Sequence, residues 1–148
     1  MNETLIKNHN SVVKPNDTVY HLGDFAFYNT NQYLKRLNGN HLLIRGNHDP
    51  TAGLEGFGWV KDTYLLKNVI PCVHIWMSHY AHRIWPQSHY SSLHLFGHSH
   101  NKLPPYGRSF DVGVDTHNFY PYSLEEVIEK AKTLEPIFLV GKDYLKEN

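Results

Sequence analysis

Four short hydrophobic runs in this chain each break off into residues that carry metal-ligand chemistry. Val19-Tyr20-His21-Leu22 runs into Gly23-Asp24, and Leu42-Leu43-Ile44-Arg45 into Gly46-Asn47-His48-Asp49. Val73 to Met77 leads into Ser78-His79-Tyr80, and Leu93 to Phe96 into Gly97-His98-Ser99-His100. In open α/β sheets, ligands sit outside the carboxyl ends of the strands, so these groups can converge on one site. Aspartate, asparagine and histidine together form the mixed oxygen and nitrogen set that suits Mn, Fe, Co, Ni or Zn.

The pattern between these runs alternates early and is strand-rich later. Residues 2 to about 13 read as an amphipathic helix with Leu5, Ile6, Val12 and Val13 near one face, stopped by Pro15-Asn16-Asp17. Thr18 to Leu22 is a strand, Asn31 to Leu37 a short helix closed by Asn38-Gly39, and His41 to Arg45 the next strand. Residues 50 to 62 are rich in glycine and proline and read as a loop. Two strands follow, 62–67 and 70–78, with a turn expected at Lys67-Asn68. Residues 80–92 form an irregular loop, 93–96 and 109–114 are strands, Ser123 caps a helix through Lys132, and 137–140 reads as a last strand. With no repeat, no low-complexity segment and no linker, residues 1–148 form one domain with a mixed sheet or two packed sheets and helices outside.

Bulk composition narrows the function. Lysine plus arginine equals aspartate plus glutamate, 14 each, so no net field draws in nucleic acid or acidic lipid. No apolar run approaches the ~20 residues of a membrane-spanning helix. The single cysteine, Cys72, fits a reducing cytoplasm and lies in an apolar stretch that suggests a small buried filler. Twelve histidines are the compositional outlier, and several of them end hydrophobic runs.

Each motif has a plain structural alternative. Asp24 alone fits a turn carboxylate, and Asn47 and Asp49 also suit a turn. A turn does not explain His48 between them. On an extended segment His98 and His100, two residues apart, point to the same side, so both imidazoles can face one centre. His41, His74 and His94 sit inside strands as packing or surface-alternating residues, and Arg45 fits an exposed strand end.

The ordered series Gly-Asp, Gly-Asn-His-Asp, an isolated histidine and Gly-His-Ser-His resembles the calcineurin-like metallophosphoesterase family, in the style of a small bacterial or phage-type branch. Val112-Gly113-Val114-Asp115 adds local likeness. The resemblance implies a four-layer α/β/β/α sandwich and phosphoester hydrolysis, as phosphodiesterase or phosphatase, by metal-activated water. It further implies two divalent ions in a complete enzyme and a phosphorylated small-molecule or nucleotide-type substrate. Asp24 would bridge the ions, Asn47, His79 and His98 would complete the second metal's shell, and His100 would belong to the first. His48 would act on the phosphate or leaving oxygen, and Asp49 would hold the local geometry.

One departure matters. The family opens with Asp-x-His at the end of a first strand, and nothing before Asp24 fits it. The expected fold therefore lacks that N-terminal strand, and the domain reads as shortened at its front. Two further readings stay open: a degenerate metal-binding fold with little catalysis, and a nuclease, which the absence of a basic cluster disfavours.

Overall fold

Seven strands and three α-helices follow one another in the order the alternating pattern suggests, in a computed structural model that describes residues 1–147. Helix α1 spans Asn2–Val12, β1 Thr18–His21, α2 Thr30–Leu34, β2 Asn40–Ile44, β3 Val60–Lys61 and β4 Thr63–Ile70. Strands β5 Val73–Ser78, β6 Leu93–Phe96 and β7 Ser109–Asp111 come next, then a 3-10 turn Val114–Thr116 and α3 Leu124–Lys132. The strands form two sheets, β1-β2-β3 and β4-β5-β6-β7.

All pairings in the first sheet are parallel, with Tyr20 opposite Leu42 and His21 opposite Leu43. In the second, β4 runs antiparallel to β5, while β5, β6 and β7 are parallel, with Met77 opposite Leu95 and Leu95 opposite Phe110. Parallel strands in register end together. The segments after β1 and β2, and those after β5 and β6, are thus delivered pairwise to the same end of their sheets.

A shared core joins the sheets. Ile44 of β2 packs in one cluster with Val73, Ile75 and Met77 of β5, Leu93 and Leu95 of β6 and Phe110 of β7, with Tyr20 and Trp59 against it. Val127, Ile128 and Ala131 of α3 belong to the same cluster. Helix α3 is set by its own sequence: Ser123 Oγ accepts from Glu126 N–H, the Glu126 carboxylate accepts from Ser123 N–H, and Lys130 and Lys132 sit in the last turn. Near the C-terminus, buried Arg108 donates to both carboxylate oxygens of Asp143 at 2.7 and 2.6 Å, which holds that carboxyl below the usual aspartate range.

The expected four-layer α/β/β/α sandwich is not formed. Only 19% of the chain is helical, and helices of 11, 5 and 9 residues beside two mostly parallel sheets do not build two outer layers. The reason lies in the connections. The glycine-rich 51–59 and the polar-aromatic 79–92 fold as turns and bends where crossover helices would be needed.

Smaller corrections have local causes. The turn between β4 and β5 lies at Pro71-Cys72, where Cys72 takes φ 62° and is exposed, so it is not a buried filler. Asn68, where the turn was expected, sits in a bulge of β4 with its N–H donated to His74 Nδ1. Val60–Lys61 adds a short strand inside the expected loop, and 137–140 forms none among the described residues. Helix α1 docks through polar groups: His9 is its buried residue and donates from Nε2 to Asn38 O at 2.8 Å, while Val12 is 53% exposed.

Two histidines, the buried His94 and the half-buried His21, make the fold sensitive to acid. His94 lies between Ser78 and Ser109, 2.8 Å from each hydroxyl, and His21 contacts His41 Nδ1 at 2.9 Å. Burial pushes each imidazole down to about 3. An unfolded chain protonates both near pH 6.5, so between there and about pH 3 it binds more protons than the folded chain. Stability is expected to be complete above about pH 6.5 and to fall below it, by up to ~1.4 kcal/mol per pH unit for each histidine. Urea unfolding across this window checks the slope, and His94→Gln should flatten it.

Candidate metal centre

His79 is the organising side chain of the site. It follows β5, its side chain is 3% exposed, and Nδ1 lies 2.7 Å from the Leu22 carbonyl oxygen. A carbonyl can only accept, so Nδ1 carries a proton there and Nε2 of the neutral ring presents a lone pair on the far side. Around that nitrogen stand Asn47 Oδ1 at 2.9 Å, His98 Nδ1 at 3.1 Å and Asp24 Oδ2 at 3.4 Å. Ligand atoms of Asp24, His79 and His98 lie within 4.8 Å of one another. The group is graded from inside out, with His79 buried, Asp24 half-buried, and Asn47 and His98 exposed.

Two glycines allow this approach. A Cβ on Gly23, whose φ is +95°, would fall on His79 Nδ1 and the Gly46 backbone. A Cβ on Gly46 would fall on the amide and carboxylate of Asp24. The glycines that open the Gly-Asp and Gly-Asn-His-Asp motifs are therefore steric requirements of the cluster.

Asp49 ties the two loops together. Its buried carboxylate accepts from the N–H groups of Asp24 at 2.8 Å, Phe25 at 2.7 Å and Gly46 at 2.7 Å. In return, Asp24 Oδ1 accepts from His48 N–H at 2.7 Å, which leaves Oδ2 facing His79. Asp49 is thus a positioning residue, one step behind the cluster. His48 projects into solvent beside the cluster, with its ring centroid 5.1 Å from that of Phe27.

The paired histidines separate, against the expectation from an extended segment. Residues 97–101 are bent and turned, and His98 and His100 both take left-handed φ values, 59° and 48°. Alternation of side chains holds only along extended backbone. His98 joins the cluster, while the exposed His100 pairs through Nδ1 with Asp115 Oδ2 at 2.8 Å. Asp24 is also left-handed, at φ 55°. Such conformations outside glycine are strained and gather at functional sites.

Two acidic residues escaped the sequence reading. Asp115 receives His100, and Asp111 accepts from the Ser99 hydroxyl and from Asn101 and Gly113 N–H groups, pinning the turn that carries both histidines. Asp115 closes the Val112-Gly113-Val114-Asp115 stretch, whose family likeness is the one sequence signal for it, and Asp111 stands just before that stretch.

The donor set fits a divalent cation. One carboxylate oxygen, one amide oxygen and two imidazole nitrogens face a common point, and the tautomer-fixing carbonyl behind His79 is the partner that metal-binding histidines ordinarily have. Two changes test the arrangement. Asp49→Ala removes the acceptor of three backbone N–H groups and should cost ~3 kcal/mol in urea unfolding. Gly46→Ala displaces Asp24 and should weaken Mn²⁺ binding ~10-fold or more in calorimetric titration.

No protein-family model matches the chain. Uncharacterized protein MJ1445 of Methanocaldococcus jannaschii is 31% identical over 153 residues, a match that covers 93% of this chain and 80% of the relative. The crystal structure of AQ665, a protein of unknown function from Aquifex aeolicus, superposes with a TM-score of 0.69 at 24% identity, over 87% of this chain and 84% of that one. The Aquifex protein therefore shares the fold. On the identity and coverage of the Methanocaldococcus relative, the chain belongs to the family of MJ1445.

Proposed function

We propose that this protein is a metal-dependent phosphoester hydrolase of the calcineurin-like metallophosphoesterase kind, acting on a phosphorylated small-molecule or nucleotide-type substrate. The observation that carries the reading is the convergence of Asp24 Oδ2, Asn47 Oδ1 and His98 Nδ1 on the lone pair of His79 Nε2. Those residues hold the ion, with Mn, Fe, Co, Ni or Zn suited to the donor set. A divalent ion held there supplies Lewis acidity to phosphoryl oxygens and acidifies water.

The chain's own residues do the rest. Asp24 keeps one oxygen on the His48 N–H and turns the other to the ion site. His48, exposed beside the cluster and not a ligand, is placed to hold phosphoryl charge or to give a proton to the leaving oxygen. Asp49 keeps both loops in register so that these atoms meet. Balanced charge, 14 against 14, disfavours long nucleic-acid contacts and leaves substrate attraction to the ion itself. An exposed free thiol at Cys72 suits a reducing cytoplasm.

A second reading has one observation behind it. His100 is drawn to Asp115, so the cluster gathers ligands for a single ion. A module that binds one ion without useful catalysis would look the same. Titration with Mn²⁺ followed by assay on an activated phosphodiester separates the two: hydrolysis that needs the ion supports the enzyme, and binding without hydrolysis supports the module. His48→Ala should lower turnover by roughly 10²-fold with the ion retained. Loss of the ion in that variant would reassign His48 as a ligand.

A further inference from the structure

Two aromatic side chains stand out in solvent next to the candidate metal centre. Phe27 is 69% and Tyr28 73% exposed, three and four residues after Asp24. Single exposed apolar residues are ordinary, but adjacent exposed rings at the mouth of a site point to something that covers them. Phe27 also leans on His48, with ring centroids 5.1 Å apart. These rings line an open groove of about 370 Å³ together with Pro50, Ala52 and Gly53. Its lining therefore comes both from the segment that follows Asp24 and from the segment that follows Asn47 and His48.

The groove has polar groups as well as rings. Asn29 and Gln32 line it with exposed amide side chains. Thr30, 5% exposed, lines it too, and its hydroxyl has no hydrogen-bond partner. Exposed aromatic rings beside amide donors and acceptors are the combination that recognises a planar heteroaromatic ring by stacking and edge hydrogen bonds. A purely aliphatic group would leave the amides unused, and a charged group would meet no lysine or arginine in the lining.

We propose that this groove is the subsite for the base of a nucleoside phosphoester whose phosphate lies at the metal centre. The proposal rests on the hydrolase reading and names its substrate class. Phe27 and Tyr28 supply the stacking surface, and Phe27, in contact with His48, links the base subsite to the reacting end.

Calorimetric titration of the Mn²⁺-loaded chain with adenosine 5′-phosphate, ribose 5-phosphate and inorganic phosphate tests this without requiring turnover. Adenosine 5′-phosphate is expected to bind ~10-fold or more tightly than ribose 5-phosphate, in keeping with base–aromatic stacking. Phe27→Ala should reduce that ratio to about 2-fold or less. Phe27→Leu, which keeps apolar bulk against His48, should lose most of the ratio while folding as the native chain does. Equal affinities in the native chain, or a preference that survives both Phe27→Ala and Tyr28→Ala, would overturn the subsite. If neither phosphate binds, the result turns on adenosine alone: its failure to shift the Tyr28 ring resonances overturns the subsite as well. A base preference with no hydrolysis of any phosphodiester would leave the subsite standing and remove the hydrolase reading instead.

Discussion

The Asp49 carboxylate is the interaction on which the rest of the site depends. It accepts three backbone N–H groups, two from the loop after β1 and one from the loop after β2. Neither loop has regular structure to hold it, and their glycines are there to let the chains come close. A buried anion with three short N–H donors is among the stronger neutral-to-charged arrangements a protein can make. With the loops clamped, Asp24 has one carboxylate oxygen committed to His48 N–H and one free to face His79.

Behind the clamp stands the parallel architecture. The first sheet brings Gly23-Asp24 and Gly46-Asn47 out at one end, and the second sheet does the same for His79 and His98. The Leu22 carbonyl links the two sheets by taking the Nδ1–H of His79. The buried His94 of β6 hydrogen-bonds to Ser78 of β5 on one side and Ser109 of β7 on the other, and so ties the three parallel strands together. Core packing of Ile44 against the β5 and β6 side chains then fixes the separation of the two sheets.

Much of the centre was legible from sequence because hydrophobic runs ending in Gly-Asp and Gly-Asn-His-Asp give both the strand and the place where it stops. Asp24, Asn47, His79 and His98 meet because each lies just past a strand end. His100 was misread for a local reason: alternation presumes extended backbone, and left-handed φ values at His98, His100 and Asn101 turn the chain there. Asp115 and Asp111 were passed over because their roles come from long-range packing. The layered architecture failed for a related cause. That architecture is implied by the family resemblance alone, and the irregular loops 51–59 and 79–92 supply no helices to build its outer layers. The β4–β5 turn moved because Asn68 is held by His74, a contact invisible along the chain.

We propose that Asp24, Asn47, His79 and His98 bind one divalent ion. Anomalous diffraction from crystals soaked in Mn²⁺ tests it most directly. A single strong peak bonded to Asp24 Oδ2, Asn47 Oδ1, His79 Nε2 and a nitrogen of His98 is expected. A fully ordered cluster without a peak, in crystals where Mn²⁺ occupies other positions, would contradict it.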